Sequence, residues 1–393
     1  MSDSIWKKEI TFRRKPKAPK EPKPAKDAKQ PKQQAKEPHK AREVVGLRIG
    51  SSQLAAARIA NNGHAELQQL ARVDLERGVV VNGEVRDADA LTRALKSFFA
   101  SNKLPKGAVR LGIASNRIGV RTLDVPAIDD PAQFENAIRF RAQELLPIPV
   151  TEAILDHVVL RESAGEDGEP VRTVLLVFAH RELVDRYVDA CRGAGVRLAG
   201  IDLDAFALLR AVAVPRLDSE EATRALVAIA VGQERTVFAV SDGRVGDFVR
   251  VLEWGGQTLD VAIARTLDLT PSQAQPYKHH LSLSADTAPA GISRLQLEAI
   301  KAAIRTEIAA LGRELISSLR FYQSRPESLA IGEVLLSGGA AQMPGFAEEL
   351  RIALGAPVRV ADPLMRVTLG KKVQAPEDAG RFAVAIGLGI EEK

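Results

Sequence analysis

The sequence predicts a two-lobed α/β protein in which both lobes follow one duplicated plan, with an inserted α+β subdomain and a basic N-terminal tail. The first observation is Val44–Ile59, where an apolar run stops at Gly50, a Gly-Ser-Ser turn follows, and a second apolar run leads to Asn62-Gly63. Asn-Gly between two strand-like runs is a strong hairpin signal. The second observation is the return of this pattern at Leu226–Gly232 and Thr236–Val240. Two hairpins of one design, far apart in the chain, indicate a duplication.

The composition is that of a globular protein with more than one core. The chain has 393 residues, of which 45% are hydrophobic and one is a cysteine, Cys191. A single cysteine excludes an internal disulfide and is compatible with a reducing cytosol. No apolar stretch approaches the roughly 18 residues of a membrane span, and the N-terminus has no apolar signal core. We therefore expect a cytoplasmic protein without a transmembrane segment.

The basic charge is confined to the tail, residues 1–43. This tail holds 14 Lys and Arg against 6 Asp and Glu, although the net charge of the whole chain is only +5. The remaining residues are therefore slightly acidic, and no nucleic-acid partner is expected. Lys15–Lys40 has no hydrophobic period and is interpreted as a disordered tether. Ser4–Lys15 is either an unstructured end, a short motif that docks on a partner, or a weak lipid-headgroup contact.

Residues 44–125 form the first predicted lobe. After the opening hairpin comes a second Asn-Gly turn in Val79–Glu84, and then an amphipathic helix over Asp87–Ala100 that Asp87 can cap. Val109–Ala114 and Gly119–Val125 alternate as strands. Strands on either side of a helix are typical of a mixed α/β layer.

Residues 126–204 form the predicted inserted α+β subdomain, and residues 205–223 a return helix to the first lobe. The insertion reads as a helix, two strands joined by a polar loop, and a second helix. A groove between helix and sheet would suit an apolar peptide. The predicted elements are the helix Asp130–Leu146, the strands Ala153–Leu160 and Val171–Phe178, and the helix Arg181–Gly193.

Residues 224–365 form the second predicted lobe, and residues 366–393 a C-terminal segment that packs on the first. A Gly-Gly turn in Glu253–Leu259 leads into a helix, and Arg294–Gln323 is a long helical stretch with a possible break at Gly312. Val334–Phe346 reads as strand, double-glycine turn and helix. Ala379–Gly389 is a helix of small residues, which can approach a sheet closely.

The glycine turns are candidate phosphate sites. A Gly-bearing turn leaves backbone N–H groups free to approach a phosphate. Two such turns facing each other across a cleft would hold a nucleotide between the lobes. The turns are at Gly50, Ser51 and Ser52, at Gly232, and at Gly338 and Gly339.

Three glycine turns in this order resemble those of the actin-like ATPases. GLRIGSS resembles their first phosphate loop, VAIAVG with Thr236 the second, and LLSGGAAQMPGF the adenosine loop. With ELLPIP, EWGGQTLDVAIA and AVAIGLGI, residues 44–390 resemble the type IV pilus assembly protein PilM family, which is similar to the division protein FtsA. The resemblance implies an actin-like fold of two ribonuclease-H-like cores and an ATP cofactor.

The resemblance also implies partners and a location. The main partner would be the cytoplasmic N-terminal peptide of a PilN-like inner-membrane protein, which places the chain peripherally on the cytoplasmic face of that membrane. The tail would be a possible contact for a pilus motor ATPase. The peptide would dock on the inserted subdomain near four apolar residues, Phe134, Ile138, Leu145 and Leu146.

The departures from the family pattern concern the acids that would organise a metal. Arg48 stands where the first loop has Asp, Ala55 where a Lys follows, and Ala230 where the second loop has Asp, whereas Lys278 is kept. Magnesium needs oxygen ligands, and phosphoryl transfer needs the metal. We therefore expect a pseudo-ATPase with no metal site, which binds ATP weakly or without metal through Arg48. The alternative is that Arg48 forms an ion pair with another residue and that the cleft is empty or merely structural. The implied cofactor residues are Arg48, Gly50, Ser51, Ser52, Gly232, Thr236, Gly255, Gly256, Lys278, Gly338 and Gly339.

Other readings stay open at this point. The main alternatives are an actin-like ATPase that switches with nucleotide and an FtsA-like division protein, although residues 389–393 leave no room for a C-terminal amphipathic helix. Asp202 and Asp204 are interpreted as residues of a helix N-terminus. Cys191 is interpreted as a small buried residue that fills space in the core. His279 and His280 are interpreted as surface residues, because no Cys or acidic residue stands at a metal-ligand spacing from them.

Overall fold

The structure is a computed structural model, and it describes residues 42–165, 168–213, 224–243, 246–325 and 328–391. The tail predictions, including Ser4–Lys15, and the end of the predicted return helix lie outside these residues. The strands are β1 (Arg42–Ile49), β2 (Gln53–Asn61), β3 (Ala65–Asp74), β4 (Val80–Val81), β5 (Glu84–Val85), β6 (Val109–Ile113), β7 (Ile118–Pro126), β8 (Ala153–Ala164), β9 (Pro170–His180), β10 (Leu198–Leu203), β11 (Arg224–Val231), β12 (Thr236–Ser241), β13 (Gly246–Leu252), β14 (Ala330–Gly338), β15 (Val358–Val360) and β16 (Thr368–Leu369). The α-helices are α1 (Ala88–Ser101), α2 (Pro131–Leu145), α3 (Arg181–Gly193), α4 (Asp204–Val212), α5 (Gly256–Leu267), α6 (Pro271–His280), α7 (Arg294–Gln323), α8 (Phe346–Leu354) and α9 (Ala383–Gly389).

The two main sheets repeat one topology, which confirms the predicted duplication. The first sheet has the order β10-β6-β1-β2-β3-β16, and the second has the order β13-β12-β11-β14-β15. In each sheet an antiparallel meander (β1-β2-β3 or β11-β12-β13) continues from its first strand into two parallel strands. The glycine turns close the meanders, with Gly50 N donating to Gln53 O at 2.9 Å and Gly232 N donating to Arg235 O at 2.8 Å.

The inserted subdomain is a three-stranded antiparallel sheet in the order β7-β9-β8, with α2 on one face. Asp130 caps α2 by accepting a hydrogen bond from Gln133 N at 2.8 Å, and Pro131 takes its first position. β9 is buried on both faces, because Val174 and Leu176 pack toward α2 while their neighbours Leu175 and Val177 enter the core of the first lobe. This explains why β9 is a continuous apolar run rather than an alternating one.

Two elements, β7 and α3, pack with a different unit from the one to which the sequence assigned them. β7, predicted as a strand of the first lobe, pairs with β9 along its whole length. α3, predicted as part of the insertion, packs against α1, and its buried Tyr187 and Cys191 belong to the core of the first lobe. The reason is that pairing partners and helix faces are chosen by contacts distant in sequence, which local periodicity does not encode.

The C-terminal segment completes the core of the first lobe. α9 packs against β1, β2 and α4, and every one of its residues is buried. Two glycines permit this approach. A Cβ on Gly46 would lie 2.0 Å from Ala385 O, and one on Gly387 would lie 1.7 Å from Ala207 O. The small side chains of α9 are therefore a packing requirement.

The second lobe is built around α7. Ser293 and Gln296 form a capping box at its start, and the helix runs unbroken to Gln323. The predicted break at Gly312 is absent, because Gly312 packs against α8, where a Cβ would lie 2.7 Å from Ala353 Cβ. Close helix packing therefore explains this glycine. Of the helices that the structure describes, none is long and apolar enough to cross a bilayer.

Candidate functional site

The glycine turns of the second lobe lie together, beside the first lobe. Gly256 N donates to Gly232 O at 2.9 Å, which joins the Gly255-Gly256 turn to the end of β11. A Cβ on Gly338 would lie 2.3 Å from Val231 O, so the turn after β14 packs directly on the same strand end. Arg48 of the first lobe reaches this group, with Nη2 at 3.4 Å from the Cβ position of Gly232. The structure thus assembles residues that the sequence separates widely.

Several backbone donors that were predicted to face a phosphate are already bonded within the protein. The N–H groups of Gly50 and Gly232 close their own hairpins, and the N–H of Gly256 bonds to Gly232 O. Ser51 is buried, and Ser52 O accepts from Leu75 N at 2.8 Å. These turns therefore hold their shape without a ligand.

Arg48 is held by a carboxylate from α4. Its Nε lies 3.3 Å from Asp204 Oδ2, and the two side chains are only 14% and 5% exposed. Among the described residues, the other oxygen, Asp204 Oδ1, has no hydrogen-bond partner, and it lies against Gly112. The expectation that Arg48 could form an internal ion pair is confirmed. The interpretation of Asp204 as a helix N-terminal residue missed this role, because its partner is 156 residues away.

Asp202, the second acid of that segment, also has an arginine partner. Its carboxylate forms a buried ion pair with Arg210, whose Nε donates to Gly387 O at 2.9 Å. This pair ties α4 to α9. Asp202 therefore supports the first lobe, whereas Asp204 is the acid that pairs with Arg48.

Lys278 lies beneath the Gly255-Gly256 turn. Its Nζ is 2.8 Å from Asp260 Oδ1 and donates to Gly256 O at 2.9 Å and to Gln233 Oε1 at 3.4 Å. Burial lowers the pKa of Lys278, and the nearby Asp260 carboxylate opposes that shift. Gln233 Nε2 in turn donates to Asp260 Oδ2 at 2.8 Å. This polar network fixes the second-lobe turns, and sequence reasoning missed Asp260 and Gln233.

Thr236 and the double-glycine turn after β14 are supporting residues. The Thr236 hydroxyl is fully buried and donates to Trp254 O at 2.7 Å, immediately before Gly255. Gly338 has a φ of +95°, and Gly339 lies beside Arg381, whose Nε is 3.8 Å from its Cβ position. Burial lowers the pKa of Arg381. A third cation thus borders the cleft, after Arg48 and Lys278.

A fourth cation, Arg235, crosses from the second lobe to the first. Its guanidinium donates to Ala114 O and packs over Gly83. The pKa of Arg235 is lowered, chiefly by burial and also by the nearby Arg48. The sequence carries no local signal for this contact, because both acceptor and packing partner lie more than a hundred residues upstream.

The charged side chains that reach the second-lobe turns are chiefly cations. Within the described ranges, no group of three or more His, Cys, Asp and Glu side chains could hold a metal ion. Two acids near the turns, Asp204 and Asp260, are each paired with a cation. Backbone turns and guanidinium groups can still bind a phosphate.

The four residues predicted to contact a peptide divide into two groups. Phe134 and Ile138 are buried in the core of the inserted subdomain, so they cannot contact a peptide while this unit is folded. The reason is that α2 uses this stripe to cover its own sheet. Leu146 is partly buried against that core, and Leu145 is 48% exposed. Phe140, which was not predicted, is 62% exposed on α2.

Comparisons with known proteins agree with this architecture. The family model described as "Type IV pilus assembly protein PilM" matches residues 46–393. A chain in the structure of a PilM–PilN type IV pilus biogenesis complex is 26% identical, with 89% of this chain and 98% of that chain covered and a TM-score of 0.74.

Two further solved structures share the fold alone. The ethanolamine utilization protein EutJ from Carboxydothermus hydrogenoformans is 14% identical over 91% of this chain and 92% of its own, with a TM-score of 0.51. MreB 5 of Spiroplasma citri bound to AMPPNP is 14% identical over 88% and 94%, with a TM-score of 0.50. The chain therefore has the actin-like ATPase fold.

Proposed function

Because the chain belongs to the type IV pilus assembly protein PilM family, we propose that it is a cytoplasmic, actin-like scaffold of the pilus machinery. Its partner would be the cytoplasmic N-terminal peptide of a PilN-like inner-membrane protein, which would hold it at the cytoplasmic face of that membrane. The observation that carries this proposal is the likeness to a chain of a PilM–PilN complex over 98% of that chain. Family membership also favours pilus assembly over cell division.

The uncovered end of α2 is the surface that we propose for the peptide. Phe134, Ile138 and Ala142 form the stripe of α2 that covers the sheet, and Leu145 continues this stripe past the end of the core. Leu146 and Val150 lie next to it and are only partly buried. An apolar side chain of an extended peptide would bury Leu145 and extend the existing core.

A titration of a labelled PilN-like peptide by fluorescence anisotropy tests both statements. We expect saturable binding by the full chain, and at least about tenfold weaker binding by Leu145→Asp, because a charge would then have to be desolvated. Phe140→Asp is the control, since Phe140 is an α2 residue that is even more exposed than Leu145 and lies outside the stripe. Absence of binding by the unaltered chain would refute the scaffold function. Equal loss in both variants would refute only the placement.

We also propose that the cleft does not hydrolyse ATP. Arg48 replaces the acid of the first loop and Ala230 that of the second, while the Asp204 carboxylate near the cleft is engaged by Arg48. If nucleotide binds, its phosphates would contact Arg48 and the glycine turns without a metal. A cation that occupies the place of a metal-organising acid disfavours Mg²⁺ by direct repulsion.

The Ser4–Lys15 motif, which lies outside the described residues, is proposed as a contact for a pilus motor ATPase. It combines the apolar residues Ile5, Trp6, Ile10 and Phe12 with basic residues, and the Lys- and Pro-rich stretch Lys15–Lys40 follows it in the sequence. Deletion of residues 1–14 should abolish capture of the motor ATPase in a pull-down and leave peptide binding unchanged. Unchanged capture would refute this role.

A further inference from the structure

Three side-chain hydrogen bonds cross from the second lobe to the first beside the glycine turns. The Arg235 guanidinium donates to Ala114 O. Glu234 Oε2 accepts a hydrogen bond from Asn82 N at 2.8 Å, and Asn116 Nδ2 donates to Glu253 Oε1 at 2.8 Å. All three second-lobe residues flank the Gly232 and Gly255 turns, so the contacts lie where the lobes face each other.

The Arg235 guanidinium lies in a space of the first lobe next to Gly83 and Ala114. Gly83 has a φ of +73°, and a Cβ at this position would lie 1.6 Å from Arg235 Nη1. The buried hydroxyl of Tyr187, on α3, donates to Gly83 O at 3.0 Å and holds the Gly83 turn in place. A guanidinium fits this space only because the turn residue is glycine and its carbonyl is held by a separate donor.

The charges nearby keep Arg235 directed at a carbonyl. Within the residues that the structure describes, Arg235 forms no ion pair, since Asp204 is engaged by Arg48. Arg48 also reaches the boundary, with Nη2 at 3.4 Å from the Cβ position of Gly232. The two arginines thus come from opposite lobes, and each extends toward the other lobe.

In a cleft protein a bound ligand commonly stabilises the closed arrangement, because it contacts both lobes at once. Here the contacts that join the lobes come from the chain itself. We propose that Glu234, Arg235 and Glu253, with their first-lobe partners Asn82, Ala114 and Asn116, form a latch that holds the lobes closed without nucleotide. The two lobes then stay closed whether or not a nucleotide is bound.

Spin labels on the two lobes measure this closure directly. Lys96→Cys on α1 and Ala302→Cys on α7 place labels at exposed positions of the two lobes, and the native Cys191 is fully buried and unreactive. Electron–electron distance measurements on the labelled full-length chain should give one narrow distribution that neither ATP with Mg²⁺ nor ATP with EDTA changes. A broad distribution that narrows on addition of ATP would overturn the latch.

Variants identify the residue responsible. Arg235→Ala should shift the distribution to longer and broader distances. Arg351→Ala should not, because Arg351 is an exposed arginine of the same lobe that pairs with Glu348. Glu253→Ala removes the exposed Asn116 contact and should broaden the distribution less. Should Arg235→Ala fail to fold, the Glu253→Ala measurement remains decisive. A distribution identical to that of Arg351→Ala in every folded latch variant would contradict the proposal.

Discussion

Arg48 Nε and Asp204 Oδ2 lie 3.3 Å apart, although 156 residues separate them. The pair joins the central strand of the first sheet to the start of α4, and both side chains are almost excluded from solvent. A buried ion pair of this kind is not required for stability, but removal of one partner leaves a buried charge without compensation. This asymmetry makes the pair a sensitive test of the site.

Asp204→Asn should lower the free energy of unfolding by about 3 kcal/mol, because the guanidinium of Arg48 stays buried without its counter-charge. Urea unfolding followed by circular dichroism measures this change. Glu43→Gln is the control, since the Arg58–Glu43 pair is partly solvent-exposed and its loss should change stability by less than about 1 kcal/mol. An Asp204→Asn midpoint equal to that of the control would show that Arg48 finds another partner.

Nucleotide binding should not depend on magnesium. Calorimetric titration of ATP with and without Mg²⁺ should give affinities that differ by less than about twofold, since the Asp204 and Asp260 carboxylates are each engaged by a cation. Arg48→Ala should weaken whatever binding is measured, because it removes the cation nearest the Gly232 turn. Binding that requires Mg²⁺, or phosphate release above that of a protein-free control, would contradict the proposed pseudo-ATPase.

Asp247 at the start of β13 should make stability depend on pH. Burial raises its pKa to about 6, an effect that Arg325 opposes and Asp242 reinforces. The folded state therefore binds this proton more tightly than the unfolded state does, and the contribution to stability is lost as pH rises from about 4 through about 6. Asp247→Asn should remove this loss and raise the free energy of unfolding at pH 7.5 by up to about 3 kcal/mol.

Urea unfolding of the unaltered chain and of Asp247→Asn at pH 4.5, 6.0 and 7.5 gives the difference in their free energies of unfolding at each pH. This difference reports the contribution of Asp247 alone. It cancels that of Asp156, a residue present in both proteins whose pKa is also raised to about 6 by burial. Asp185→Asn, at an exposed position of α3, serves as the control and should give no pH-dependent difference. A stability gain for Asp247→Asn that is the same at all three pH values would contradict the titration.

Gly387→Ala should destabilise the first lobe by at least about 2 kcal/mol, because the added methyl group would lie 1.7 Å from the backbone oxygen of Ala207. Gly107→Ala is the matched control, since its Cβ would meet only the end of the Arg197 side chain at 3.2 Å. Thermal unfolding by calorimetry compares them. Equal transition temperatures would mean that α9 can move away from α4 without loss.

Local features of the sequence predict much of the fold. Asn62-Gly63 and Asn82-Gly83 mark hairpins by a conformational preference that needs no information from elsewhere, and both turns form. The repeated apolar runs identify the duplicated sheets, because burial on both faces leaves few alternatives. The small residues of α9 likewise predict close packing.

The site itself depends on pairs that no local pattern encodes. Arg48 with Asp204, Lys278 with Asp260, and Arg235 with Ala114 are each set by the tertiary arrangement. Leu145 and Ile138 lie on the same stripe of one helix, yet only the end of the sheet determines which of them is uncovered. Sequence reasoning therefore found the turns and missed the side chains that connect them.

The position of α9 has a consequence for synthesis of the protein. This helix supplies the inner layer beneath β1 and β2, although it is translated more than three hundred residues after them. Until α9 has been translated, the apolar surface around Gly46 lacks the helix that packs on it in the folded protein. The first lobe is therefore synthesised before the second but completes its core after it, so the α9-facing surface of β1 and β2 stays exposed in the nascent chain until α9 has emerged.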